Sequence, residues 1–246
     1  MTTAPAATVR TLTTQGAEAN FPDTASDRVE SAVGVPTPRL LRRGEHLYCM
    51  GDQVTCMYIV RAGALRSYTI AENGDQQIID FYLPGDVLGF DALADGVTRT
   101  SAQALDTTSV TSLSFDRLFD PTEADHAEAQ SILKKLSELK RREQELVFQL
   151  AQQPARQRLA WFLLRLSRHY ARRQFSATRF TLPMSRNDIA NYLGLAMETV
   201  CREISRLRDA GVIGIERRQI SICDMNALRA EVSSPIYEPG RIVAVH

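Results

Sequence analysis

Apolar runs, cysteines and catalytic signatures are all scarce in this chain of 246 residues, and each scarcity removes a class of function. No stretch approaches the roughly 18 consecutive apolar residues of a membrane-spanning helix. The opening "MTTAPAATVRTLTTQG" lacks a basic segment followed by an apolar one, so it is not read as a secretory signal. Four cysteines, at 49, 56, 201 and 223, are too few and too scattered for a disulfide framework in a chain of this length. The cytoplasm is the expected compartment. Gly-x-x-x-x-Gly-Lys, His-Glu-x-x-His and the nucleophile elbow are missing, and an enzyme with a regulatory β-domain would need one such constellation. No catalytic residue and no metal centre are expected.

What is present is an uneven distribution of charge. The formal net charge is zero, yet residues 1–120 hold 9 Lys/Arg against 15 Asp/Glu, while residues 154–230 hold 14 Arg against 6 Asp/Glu. Every cation in that second segment is arginine, which suits a domain that meets phosphate. A solvated arginine-rich surface is the plain alternative. With 44% hydrophobic and 24% charged residues the composition is that of a globular protein, and the length allows one large domain or two small ones.

Texture along the chain separates five segments. Residues 1–27, rich in Thr, Ala, Ser and Gly without periodicity, read as a flexible tail, and 28–34, "RVESAVG", as one short helix. From 38 to 115 come short runs punctuated by turn signals: "EHLYCM", "CMYIVRAG", "ALRSYTI", "QQIIDFYLPGD" and "TSVTSLSF". Such punctuation predicts an antiparallel β-sandwich or β-roll, and Asn73-Gly74 is its strongest hairpin signal. Pro121 opens a helical stretch from about 122 to 152 in which Ile132, Leu136, Leu139, Leu146 and Leu150 form a narrow seam, with Glu143 where another apolar residue belongs. A narrow seam on so long a helix predicts pairing with a second copy; a helix lying on its own β-domain is the alternative. Pro154 precedes a second amphipathic helix carrying the sole tryptophan, Trp161.

The stretch "FTLPMSRNDIANYLGLAMETVCREISRLRDAGVIGIERRQISICD" predicts a short strand, a helix over 185–193, a turn, a helix over 196–210 and a two-stranded wing centred on Glu216 to Arg218. Ser185 with Asp188 three residues on is an N-cap pattern. Ala190, Gly194 and Val200 are small or apolar where two helices must cross, as in a helix-turn-helix. The second helix of that motif enters the major groove by its N-terminal end. Glu198 and Arg202, one turn apart, would otherwise be a surface ion pair. In the groove Arg202 offers a fork to guanine O6 and N7, and Glu198 accepts from a cytosine amino group. Cys201 and Ser205 share this face, and Ser185, Arg186 and Thr199 are further expected DNA contacts. Arg206, Arg208, Arg217 and Arg218 are placed for phosphates, as are the N-terminal amides of helix 185–193.

From about 38 to 228 the chain resembles the cyclic-AMP receptor / fumarate-nitrate reduction regulator superfamily, and more closely its second branch. The most specific stretches are "SYTIAENGDQQIIDFYLPGDVLGFDAL", "SAQALDTTSV" and "SRNDIANYLGLAMETVCREISRL". The resemblance implies an α+β protein: an antiparallel β-roll sensor over 28–120, a dimerisation helix over 121–153, a winged helix-turn-helix over 154–228, and a C-terminal tail over 229–246. It implies a homodimeric transcription activator on a palindrome with TGA-containing half-sites. In that branch the recognition helix reads Glu-x-x-Ser-Arg. Here Glu198, Cys201 and Arg202 match, with Cys201 in place of serine, an inert substitute or an oxidation target. The hairpin tip Glu72, Asn73, Gly74, Asp75 matches the loop with which the family's activators touch RNA polymerase. Cluster-bearing relatives carry an acid at the position of Glu143, where it is associated with a tunable monomer–dimer balance. Arg141 and Arg142 lie close enough in sequence to neutralise it.

The signal is where the chain departs from the family. The oxygen-sensing branch holds an iron–sulfur cluster with three cysteines ahead of the β-roll and one inside it. This chain has none before Cys49 and carries Thr111 at the internal position, so four thiolates cannot gather there. The cyclic-nucleotide branch binds ribose with a Glu, replaced here by Phe90, and phosphate with an Arg one position from Arg99, where Thr100 stands. Neither cluster nor cyclic nucleotide is expected. Cys49 and Cys56, flanking the "MGDQVT" turn, could face each other across neighbouring strands as a redox pair, with two unrelated core thiols the alternative. His46, His126 and His169 leave haem open.

Overall fold

The computed structural model describes residues 38–116 and 126–232, the side chains of 126–129 excepted. The tail over 1–27, the helix expected at 28–34, the start of the long helix and most of the C-terminal tail lie outside the described residues. Among the described residues, the N-terminal half contains eight strands: β1 (Arg39–Leu41), β2 (His46–Tyr48), β3 (Cys56–Ala62), β4 (Leu65–Ile70), β5 (Gln76–Tyr82), β6 (Val87–Leu88), β7 (Ser101–Ala104) and β8 (Thr108–Ser114). They form two antiparallel four-stranded sheets, ordered β1-β8-β3-β6 and β2-β7-β4-β5. Leu41, Met57, Ile59, Val110 and Leu113 of the first sheet and Leu47, Leu65, Ala102 and Ala104 of the second are buried in one core between them. Five strands match the expected runs. β1, β6 and β7 were not expected, being two to four residues long and without an alternating pattern.

The Asn73-Gly74 hairpin joins β4 to β5 by a five-residue loop in which Ala71 N donates to Asp75 O and Gly74 N to Ala71 O. Gly74 takes φ +86° there, a conformation that costs a side chain. Cys49 follows β2 in one sheet and Cys56 opens β3 in the other, and β2 and β3 are not paired. The expected meeting of the two thiols across neighbouring strands is therefore corrected, because the chain changes sheet between them.

Helix α1 (His126–Gln152) runs on into α2 (Ala155–Arg172) after a break at Pro154, the N-cap of α2. The expected apolar seam of α1 is divided. Ile132 packs on the β-roll core and Leu146 on the second core, so both face their own chain. Leu133 and Val147, at 64% and 66% exposure, and Phe148 are the open apolar residues, beside half-buried Leu136, Leu139 and Leu150. Glu143 is exposed and pairs with Lys140 at 3.5 Å.

Six further elements follow: β9 (Arg179–Thr181), α3 (Arg186–Tyr192), α4 (Met197–Asp209), the wing strands β10 (Ile213–Glu216) and β11 (Gln219–Ile222), and α5 (Met225–Glu231). The wing and β9 form a third sheet ordered β10-β11-β9. α5 crosses the 228/229 boundary expected between domain and tail, and Val232 is buried in the same core, so the domain reaches at least that residue. α2 is buried along Leu159–Leu164 and not merely on one stripe, because it lies between the helix-turn-helix and the β-roll. Phe81 of β5, Phe162 of α2 and Tyr192 of α3 meet with ring centroids 5.1 to 6.0 Å apart.

Charge fixes the same joint. Asp80 accepts from Arg165 at 2.5 Å, Asp86 from Arg142 at 3.0 Å, and Asp188 from Arg66 at 2.6 Å. Burial alone would lower the Arg165 guanidinium, but Asp80 and the Tyr192 oxygen outweigh it and hold it above the ordinary arginine value. Asn191 of α3 completes the joint on the free edge of β5: Ile78 N donates to its Oδ1 at 2.6 Å and its Nδ2 donates to Gln76 O at 2.7 Å.

Candidate DNA-binding face

α3 begins as its sequence predicts. Ser185 is the N-cap, its hydroxyl accepts from Asp188 N, and the Asp188 carboxylate accepts from Ser185 N. That reciprocal pair satisfies two end amides. It also takes the Asp188 amide and the Ser185 hydroxyl away from the phosphate contact expected of them. Gly194, at φ +60°, turns the chain towards α4. α4 buries Val200, Ile204 and Leu207 and turns Glu198, Arg202 and Arg206 outward, all exposed, with Thr199, Cys201 and Ser205 half-buried among them. The expected base-reading pair thus shares one open face, one helical turn apart.

The arginines differ in what already holds them. Arg186 reaches from α3 to α4, its Nη1 lying 3.7 Å from Cys201 Sγ. Arg202 Nη2 donates to Thr199 Oγ1 at 3.4 Å. Arg206 Nη1 donates to Glu203 Oε1 at 2.7 Å, and Arg208 is paired with Asp209 at 2.9 Å. Arg217, at the wing tip, is exposed with φ +54°, an unusual conformation for a residue with a side chain. Arg218, expected to meet phosphate, turns inward: its Nε donates to Leu182 O at 3.0 Å and its Nη2 to Pro183 O, fastening the wing to the segment before α3.

Glu203 escaped the reading of the sequence. Three residues after Val200 and four before Leu207, it occupies the apolar stripe of α4 and is buried. A charged residue on the buried stripe was the available signal.

Several of the candidate sensor positions are engaged internally. Asp91 Oδ2 accepts from Arg99 N at 2.9 Å and from Thr100 Oγ1 at 3.2 Å, and the Arg99 guanidinium pairs with Asp95. A carboxylate thus faces the groups that a cyclic phosphate would need, and like charge would repel that phosphate. Thr111 Oγ1 accepts from Arg61 Nε at 2.8 Å. His46 Nε2 and the Tyr68 hydroxyl lie 2.8 Å apart, and His169 lies within the joint near Asp86. The side chain of His126 lies outside the described residues. At the hairpin tip, Asp75 N donates to Asn73 Oδ1 and Asn73 Nδ2 to Asp75 Oδ2, leaving Glu72 to Asp75 exposed but ordered among themselves. Among the described residues, no helix is long and apolar enough to cross a membrane.

Comparison with known proteins bears on this face directly. Residues 38–122 match the cyclic nucleotide-binding domain and residues 157–231 the Crp-like helix-turn-helix domain. The anaerobic regulatory protein of Haemophilus influenzae is 40% identical over 188 residues, 76% of this chain and 73% of its own. The fumarate and nitrate reduction regulatory protein of Escherichia coli is 37% identical over 188 residues, 76% of this chain and 75% of its own. Among solved structures, FixK2 from Bradyrhizobium japonicum superposes with a TM-score of 0.74 at 32% identity, covering 82% of this chain and 99% of FixK2.

Proposed function

Since the chain belongs to the CRP/FNR family of DNA-binding transcription regulators, we propose that it acts as a homodimeric activator on a palindrome with TGA-containing half-sites. The observation that carries this reading is Glu198 and Arg202 standing exposed one turn apart on α4. They match the pair that the family resemblance associates with that element, and their chemistry suits adjacent C·G and G·C pairs. The open residues Leu133, Val147 and Phe148 of α1, with Leu136, Leu139 and Leu150 beside them, support a second copy as the partner of that helix. Glu143 stands on the outer side of the same helix, and its pairing with Lys140 reduces the repulsion a symmetric carboxylate would bring. The ordered hairpin tip at Glu72–Asp75 is the surface we assign to RNA polymerase. The regulator works without an iron–sulfur cluster or a cyclic nucleotide. The arrangement of Asp91, Arg99 and Thr100 supports the second half of that statement. Its compartment is the cytoplasm.

Selection of binding sites from random duplex DNA tests the reading. The expected product is a palindrome whose half-sites contain TGA. A non-palindromic product, or one without the guanine, overturns it.

A further inference from the structure

Glu203 is nearly inaccessible, its side chain 5% exposed, yet it lies beneath two arginines of the DNA-binding face. Its Oε1 accepts from Arg206 Nη1 at 2.7 Å and lies 3.7 Å from Arg202 Nε. Its Oε2 is buried and has no hydrogen-bond partner. Arg156 of α2, bound by both Nε and Nη2 to Glu231, also feels the Glu203 charge. A carboxylate so placed does not serve packing, since a leucine there would continue the stripe of Val200, Ile204 and Leu207 without burying a charge.

We propose that Glu203 is a positioning residue that sets the ratio of specific to non-specific DNA binding. It acts on the two arginines in different ways. Arg206 is placed to meet phosphate, and phosphate contact is the sequence-independent part of affinity. A carboxylate at hydrogen-bond distance competes with every phosphate for that guanidinium, on any duplex, and so weakens the sequence-independent part. Arg202 is approached on its Nε edge, and once the long 3.4 Å contact of its Nη2 with Thr199 opens, its two terminal nitrogens form the end-on fork that guanine O6 and N7 require. A guanidinium already oriented loses less freedom when the fork closes on a base. One buried acid therefore lowers binding to all DNA and prepares binding to the right DNA. The unpartnered Oε2 is the acceptor onto which either arginine can shift as the complex forms. The inference rests on reading Arg202 and Arg206 as DNA contacts, and the test separates the two.

The experiment is titration of the full chain with two duplexes of equal length, the selected site and a scrambled one, over a series of salt concentrations. Glu203→Gln, which keeps the shape and an acceptor but removes the charge, should bind the scrambled duplex several-fold more tightly. Its logarithmic salt slope should steepen by about 0.9, the increment for one added phosphate contact. The selected site should gain less, so the ratio falls. Glu203→Leu should lower the ratio further. In an Arg206→Ala background the effect of Glu203→Gln on the scrambled duplex should vanish. A change of fold stability alone does not steepen a salt slope, and Glu203→Gln decides the matter if the leucine variant fails to fold. If Arg206→Ala leaves scrambled binding unchanged, Arg206 is no phosphate contact and both the reading and the inference fall. If Arg206→Ala weakens it while Glu203→Gln alters neither slope nor ratio, or acts equally without Arg206, only the inference falls.

Discussion

Arginine performs opposite tasks on the two sides of the helix-turn-helix domain. At the joint with the β-roll, Arg165, Arg142 and Arg66 are largely buried, and each is matched to one carboxylate, Asp80, Asp86 and Asp188. On the outer face Arg202 is 57% exposed and Arg217 stands free of such a partner at the wing tip. The cationic excess of the C-terminal third is thus not all directed at DNA. Arg165, the one of the three joint arginines that lies in that third, is consumed in holding the domain, and part of the outer set is already tied to Glu203, Asp209 or backbone carbonyls. A charge count over a segment sums two populations whose loss has different consequences: removing a joint arginine strands a buried acid, while removing Arg217 from the wing tip leaves water in its place.

The sharpest way to break the comparison is to remove one partner of the Asp80–Arg165 pair. Asp80→Ala leaves a buried guanidinium unpaired and should cost about 3–5 kcal/mol of stability in urea unfolding. Replacing both residues by apolar ones of similar volume should recover most of that loss. A cost below about 1 kcal/mol would move Arg165 into the solvated population. Next in size is Arg202→Ala, which should weaken binding to the selected site by about 1–3 kcal/mol and relax the preference at guanine, with unfolding unchanged. Loss of stability instead would make Arg202 a structural arginine.

Acidification should separate the populations without mutation. His169 is buried beside Asp86, with Arg142, Arg165 and Arg173 contributing like charge and its Nε2 unpartnered. Burial first, then those cations, lower its proton affinity, against the pull of Asp86. The unfolded chain therefore binds that proton more readily than the folded one, and stability should fall as pH drops below the ordinary imidazole value of about 6.5. Burial of Asp86 would raise its carboxyl, but the His169 and Arg142 charges outweigh it and hold it below the ordinary carboxylate range. Its contribution persists above that range and disappears only as pH falls through the lowered value. Urea midpoints between pH 5 and 7.5 should decline on the acid side, and His169→Gln should flatten the decline. An unchanged slope in that variant would assign the dependence elsewhere. The smallest expected effect is Arg217→Gly, which relieves the positive φ and should raise stability by about 1 kcal/mol while weakening binding to all duplexes alike. If both quantities fall, the wing tip depends on the arginine for its shape.

The recognition surface was largely legible in the sequence because its signals are local. Ser185 and Asp188 are three residues apart, Glu198 and Arg202 four, and Asn73-Gly74 adjacent. The joint was not legible, because Arg66 and Asp188 are 122 residues apart and Arg165 and Asp80 are 85 apart, with nothing in the pattern of either to name the other. The division of the α1 seam was hidden for the same reason. Ile132 and Leu146 satisfy a coiled-coil spacing, but which apolar residues a helix turns towards its own domain depends on surfaces supplied by distant strands. Arg218 reads as one more wing cation until its carbonyl partners come into view.

The Asn191 side chain on β5 has a consequence for how this chain can be divided. β5 is the outer strand of its sheet, and an open strand edge is a template for adding further strands from other molecules. Asn191 occupies the Ile78 N–H and the Gln76 carbonyl as a neighbouring strand would, and Tyr192 covers Phe81 beside them. The DNA-binding half therefore serves as an edge guard for the sensor half. A β-roll cut free at Pro154 would carry a bare strand edge next to an uncovered aromatic surface, an invitation to polymerise.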